Sequence, residues 1–250
     1  MVIDRLKRIY SALILPTNAD ESVNYDALRR LVRMQLADGV EGFYCCGSSG
    51  EGLLLTLDER KRIVETVLDE VAGQVPVIAH IGTIRTADVI ELARHAAASG
   101  CAAISMIPPY YYKFTMDEIC GYYEDTIAAV PEMPVIILQI EHRRAVENID
   151  AILDTEGFDA VVFGPCDLSG SLGRLGALDD AELRGMIDLV LEKCRVRGIP
   201  AGVSLGLAPA QTLLDWKSRG VRLLSTGNEY NFMQQGAALL RQIFPKEEAK

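Results

Sequence analysis

The sequence predicts an α/β fold, a (βα)8 barrel of eight parallel strands each followed by a helix, built as a single domain over residues 1–250. Three observations predict it. The length of 250 residues is typical of that barrel, which forms one domain at this size. Strand-like and helix-like apolar runs alternate through the whole chain, which calls for a parallel sheet with right-handed crossovers. Glycine recurs just past a helical run and just before the next strand, where a left-handed residue closes a helix. An open doubly wound sheet is the weaker alternative, because no GxGxxG phosphate turn occurs.

The elements follow in order. Ser11–Pro16 is the first apolar run, and 24–38 carries Leu28, Leu31, Val32 and Leu36 at helical spacing before Gly39. Gly42–Gly47 reads as the second strand. Thr56-Leu57-Asp58-Glu59 is a capping box that opens a helix through Val71, ended by Gly73. Pro76–Gly82 is the third strand, 87–99 a helix closed by Gly100, and 102–108 the fourth strand. A second capping box, Thr115 to Glu118, leads a helix to Val130. Pro134–Glu141 is the fifth strand, followed by a helix over 145–155 and Gly157. Asp159–Gly164 is the sixth strand, and 179–182 starts a helix closed by Gly198. Pro200–Ser204 is the seventh strand, 209–219 a helix before Gly220, 221–226 the eighth strand and 232–243 the last helix.

The net charge of −10 argues against nucleic acid or an anionic membrane surface as a partner, though not against a small anion held in a local pocket. Cysteines 45, 46, 101, 120, 166 and 194 form no CxxC pair and sit mostly within apolar runs, which fits buried, reduced thiols in the cytoplasm. Alternation along a strand sends Cys45 and Cys46 to opposite faces. Every apolar run is too short to span a membrane, and Met1–Tyr10 is too charged for a signal peptide.

In such a barrel the chemistry sits at the carboxyl ends of the strands. The segments in question are 47–52, 82–85, 108–113, 139–143, 164–173, 204–207 and 226–230. Two of them end in acids. Pro134–Glu141 and 160–169 are apolar runs that stop abruptly in polar residues, as buried parallel strands do. Gln139 and Glu141 share a face. If the two strands are neighbours, Glu141 and Asp167 emerge at one sheet edge, an arrangement suited to a hard cation such as Mg²⁺. The alternative stays open that Glu141 caps a helix and Asp167 holds a loop.

Two stretches carry a first resemblance. Gly42-Phe43-Tyr44-Cys45-Cys46-Gly47-Ser48-Ser49-Gly50-Glu51-Gly52 leads into Leu57-Asp58-Glu59-Arg60, and Pro108-Pro109-Tyr110-Tyr111-Tyr112-Lys113 follows. In order and spacing these resemble the dihydrodipicolinate synthase/N-acetylneuraminate lyase family, over roughly 1–137. The resemblance implies that Ser48 and Ser49 bind the carboxylate of a 2-oxo acid; a turn cap without a ligand competes with that reading. Its Schiff-base lysine belongs at the end of strand six, where this chain has Phe163-Gly164-Pro165-Cys166-Asp167. Lys113 and Lys193 lie in a loop and a helix, so a Schiff-base mechanism is rejected.

From about Leu138 the chain resembles another family, the metal-dependent pyruvate aldolases of the 4-hydroxy-2-oxoheptanedioate type. The matching residues are Gln139-Ile140-Glu141 with 144–149, then Gly164-Pro165-Cys166-Asp167-Leu168-Ser169 with Gly173 and Gly176, and later 198–202 and 225–228. The resemblance implies that Glu141 and Asp167 hold Mg²⁺ or Mn²⁺, with no organic cofactor. It places Gln139 beside the substrate, a small 2-oxo acid, and Gly164, Pro165 and Cys166 around it. That family's histidine base and oxo-acid arginine belong to the half that differs here. Arg85 lies three residues past strand three and is a candidate to swing in; His80 reads as a core or rim residue and His142 as a surface one.

Two resemblances meeting near 134–141 imply a recombined barrel of half-barrels 1–137 and 138–250, by laboratory fusion or ancient recombination. Little or no native activity is expected of it. A weak metal-dependent pyruvate aldolase or oxaloacetate decarboxylase is the second reading, and a non-catalytic 2-oxo-acid binder the third. The oligomeric state is left open.

Overall fold

The computed structural model describes residues 10–132, 135–205, 208–226 and 237–238. The chain divides into two compact units, 1–135 and 136–250. Of the helix expected over 232–243 only 237–238 are described, and they are helical; the segment 227–230 lies outside the described residues.

The first unit has four parallel strands in the order β1 (Tyr10–Ala12), β2 (Gly42–Cys45), β3 (Val77–His80) and β4 (Ala103–Ser105). Helices α1 (Tyr25–Ala37), α2 (Leu57–Val71), α3 (Thr86–Ser99) and α4 (Met116–Ala128) follow them in turn. The two expected capping boxes both form: Thr56 and Thr115 each accept the N3 amide, and Glu59 and Glu118 reach back to the cap. Gly100 takes the left-handed C-cap of α3, whereas α2 is already closed one residue early, by Ala72. Phe43, Leu28, Val32, Val67 and Val89 are fully enclosed in this core. Each such side chain contributes about 1.5–3 kcal/mol of burial free energy.

The second unit orders β5 (Ile137–Ile140), β6 (Ala160–Phe163), β7 (Ala201–Leu205) and β8 (Leu223–Thr226), again all parallel. The register opens with Ile137 opposite Ala160. Below it the Asp159 carboxylate accepts the Ile136 amide at 2.8 Å, which locks the start of the ladder. Phe163, Val161, Leu168, Ile187 and Val190 fill this core.

Two elements differ from the sequence reading. The helix expected over 145–155 is two short helices, α5 (Arg143–Glu147) and α6 (Ile149–Leu153), broken at Asn148. The stretch after β6, to which the sequence reading assigns no element, is a helix, α7 (Pro165–Ser171), with proline in its first turn, where the ring's fixed φ suits helix and no amide is missed. The helices α8 (Ala181–Arg197), capped by the Asp180 carboxylate, and α9 (Ala210–Ser218) complete the described elements.

Candidate functional site

The end of β5 presents Gln139 and Glu141 on one face, as alternation requires, and the Gln139 amide donates to Glu141 Oε1 at 3.0 Å. Glu141 does not cap the helix that follows. His142 does, accepting the Arg144 amide at 3.2 Å, and it is exposed as expected. Asp167 does not hold a loop; it stands in the first turn of α7.

Gly164 links the two acids. A Cβ on that residue would overlap Glu141 Oε1 and lie 2.9 Å from Asp167 Oδ2. The two carboxylates therefore converge on one point above the end of β6. Burial pushes the Glu141 carboxyl above its ordinary range, and the Asp167 charge pushes it further. Gly164 and Pro165 are buried, while Asp167 and Cys166 are exposed. Cys45, Cys46, Cys101 and Cys194 are buried, and burial raises each of them, while Cys120 and Cys166 are exposed.

The donors suit a hard cation: two carboxylates, one of them accepting an amide, with Asp167 exposed to solvent. Among the described residues no group of three His, Cys, Asp or Glu gathers to enclose a metal. The protein side of such a site would thus be Glu141 and Asp167 alone.

In the first unit, Ser48 is exposed and Ser49 half-buried on the turn after β2. The Gly47 carbonyl accepts the amides of Gly50 and Gly52, both at 3.1 Å. Gly52 must be glycine, because a Cβ there would overlap the Cys46 carbonyl. Cys46 itself sits past the end of β2 at φ 61°, so strand alternation does not govern it. Arg85 is exposed and pairs with Asp88 at 3.4 Å, at the start of its own helix.

One residue escaped the sequence reading. Arg60 is only 3% exposed. Its guanidinium donates to the His80 carbonyl at 2.6 Å and the Gly82 carbonyl at 3.0 Å, and a second contact reaches His80 Nδ1 at 3.4 Å. The signal was available: Arg60 falls on the apolar stripe of α2 with Ile63, Val64, Val67 and Val71. Burial, then the Arg60 charge, lowers His80 to about 4, so it is neutral near pH 7. Nearby, the Tyr44 and Ser105 hydroxyls bond at 2.8 Å.

Two family models match overlapping parts of the chain. The model of the dihydrodipicolinate synthetase family matches residues 5–153, and that of the HpcH/HpaI aldolase/citrate lyase family matches 113–230. An N-acetylneuraminate lyase of Salmonella paratyphi B is 30% identical over 220 residues, covering 86% of this chain and 73% of that protein. One from Rhizobium meliloti is 42% identical over 139 residues, 56% of this chain and 46% of that protein. The crystal structure of N-acetylneuraminate lyase from Mycoplasma synoviae superposes with a TM-score of 0.70 at 23% identity, covering 97% of this chain and 75% of that one. That from Fusobacterium nucleatum gives 0.68 at 26%, covering 91% and 72%. The fold class is α/β, the (βα)8 barrel.

Proposed function

This chain belongs to the dihydrodipicolinate synthetase family, and from that premise we propose that it is a recombined lyase-family barrel with little or no parental activity, whose remaining chemistry is divalent-cation-dependent handling of a small 2-oxo acid. The observation that carries this reading is the convergence of Glu141 and Asp167 on Gly164. The loss of parental activity follows from β6, which ends in Phe163 and Gly164 and offers no lysine for a Schiff base.

Glu141 and Asp167 would hold Mg²⁺ or Mn²⁺, and the Gln139 amide holds Glu141 Oε1 on the shared face. When bound, the cation supplies Lewis acidity to a keto and a carboxylate oxygen of the substrate. Gln139 keeps the Glu141 oxygen aimed. Decarboxylation of oxaloacetate asks less of a base than aldol cleavage does, so it is the activity to look for first.

The recombined origin is supported by two family models that overlap only over 113–153 and by the division of the chain between Val135 and Ile136. One fact weighs against it: a 220-residue alignment to a single lyase cannot be confined to one half. Laboratory fusion rather than ancient recombination remains part of the proposal.

Titration with Mn²⁺, in the presence and absence of oxalate, tests the reading. Saturable binding and oxaloacetate turnover, both lost in Glu141→Gln, are the expected result. A second reading, a 2-oxo-acid binder without turnover, is favoured by the Ser48 and Ser49 hydroxyls, which carry no hydrogen bond among the described residues. Metal-independent pyruvate binding lost in the double variant Ser48→Ala, Ser49→Ala would select it.

A further inference from the structure

We propose that Ser171 is a positioning residue for the acidic pair: its hydroxyl splints the start of α5, two residues past Glu141, to α7 and so sets the spacing between Glu141 and Asp167. The inference rests on the metal reading above and deepens it.

Glu141 and Asp167 lie on separate elements, and neither is held by an ion pair among the described residues. Something else must fix their separation against their mutual repulsion. Two residues past Glu141, the Arg143 amide donates to Ser171 Oγ at 2.9 Å. The same hydroxyl donates to the Leu168 carbonyl at 2.7 Å, and Leu168 adjoins Asp167. The Leu168 amide in turn donates to the Gly164 carbonyl at 2.8 Å, closing the link to the residue on which both acids converge. Thus one hydroxyl, acting as acceptor and donor at once, joins the backbone beside each acid.

The other side of α7 is anchored independently. Buried Ser169 donates to the Cys166 carbonyl at 2.6 Å and accepts the Gly176 amide at 2.9 Å. That bond ties α7 to the loop behind it and not to β5. Ser169 therefore serves as a matched control: a serine of the same short helix, equally hydrogen-bonded, with no link to Glu141.

A group that orients metal ligands from outside the coordination shell typically changes affinity by about 10–100-fold when removed. The test measures the Mn²⁺ dissociation constant, by calorimetry or by loss of the free-ion electron spin resonance signal, and the hydrogen exchange of the Arg143 amide. Ser171→Ala, Ser171→Thr and Ser169→Ala are compared with the parent chain. The expected result is about tenfold weaker Mn²⁺ binding and a deprotected Arg143 amide in Ser171→Ala. Ser171→Thr, which restores the hydroxyl, should recover both, and the melting temperatures should not track the affinities. Three results overturn the proposal. Ser171→Ala may deprotect Arg143 while Mn²⁺ binding stays at the parent value, which leaves the metal reading standing. Ser169→Ala may weaken binding as much as Ser171→Ala, which makes the effect general to α7. A parent chain that takes up no Mn²⁺ fails the metal reading itself, and this inference with it.

Discussion

The two units place charge at their strand ends in opposite ways. In the first, a cation is buried: Arg60 donates to the carbonyls of His80 and Gly82 at the end of β3 and touches the His80 ring, while its Nε has no partner among the described residues. In the second, two anions face each other, partly open, with no described cation between them. The buried cation satisfies groups that would otherwise be orphaned, so it belongs to stability. The facing anions cost stability and leave coordination capacity unused, so they belong to function. Reading charge by what it satisfies, rather than by its sign, separates structural from chemical residues.

The largest test of that contrast is Arg60→Met. It leaves the His80 and Gly82 carbonyls without their donor and should cost about 4 kcal/mol in urea unfolding, given two charge-assisted bonds. A loss under about 1 kcal/mol would mean that the buried cation is not structural. Next comes acid sensitivity. His80 is held neutral, its folded value about 4 against an ordinary 6.5. The unfolded chain therefore binds the proton more readily, and stability falls as pH drops from about 6.5 toward 4, by about 3 kcal/mol in all. His80→Gln should flatten that part of the stability–pH curve; an unchanged slope refutes the assignment.

Smaller effects compare the units directly. Thr56→Ala in α2 and Thr115→Ala in α4, which cap by the same N3 bond, should each cost about 1 kcal/mol, and Asp180→Ala at the start of α8 somewhat more, since Asp180 accepts two amides and pairs with Arg174. Markedly unequal losses on thermal unfolding would show that the units differ in local stability. The smallest effect concerns Glu141. Its raised value makes the folded chain bind the proton more readily, so this contribution is present at low pH and is lost as pH rises through the raised value. Metal-free Glu141→Gln should be no less stable than the parent near pH 7, and a clear destabilisation would recast Glu141 as structural.

Much of this was legible in the sequence. Strict alternation and the capping boxes marked the elements, because a cap is a local bond between residues three apart. The acid pair was legible because period two fixes which side of β5 Glu141 takes. What escaped depended on competition between signals. Pro165 marks a helix start, yet with a glycine before it and only a short run after it the sequence assigns no element there. Arg60 sits on an apolar stripe, but charge normally argues for solvent, and only the carbonyls of His80 and Gly82, contributed from another element, explain it. The His142 cap was hidden because its partner, the Arg144 amide, carries no side-chain signature.

Gly164 gives an experimenter an unusual lever. Its backbone, at φ −103°, suits alanine, and the atoms a methyl would strike are the tips of two pliable side chains rather than main chain. A single added carbon would therefore wedge the acids apart while leaving both negative charges in the molecule. That dissects the role of elbow room from the role of electrostatics, which no replacement of either acid can do.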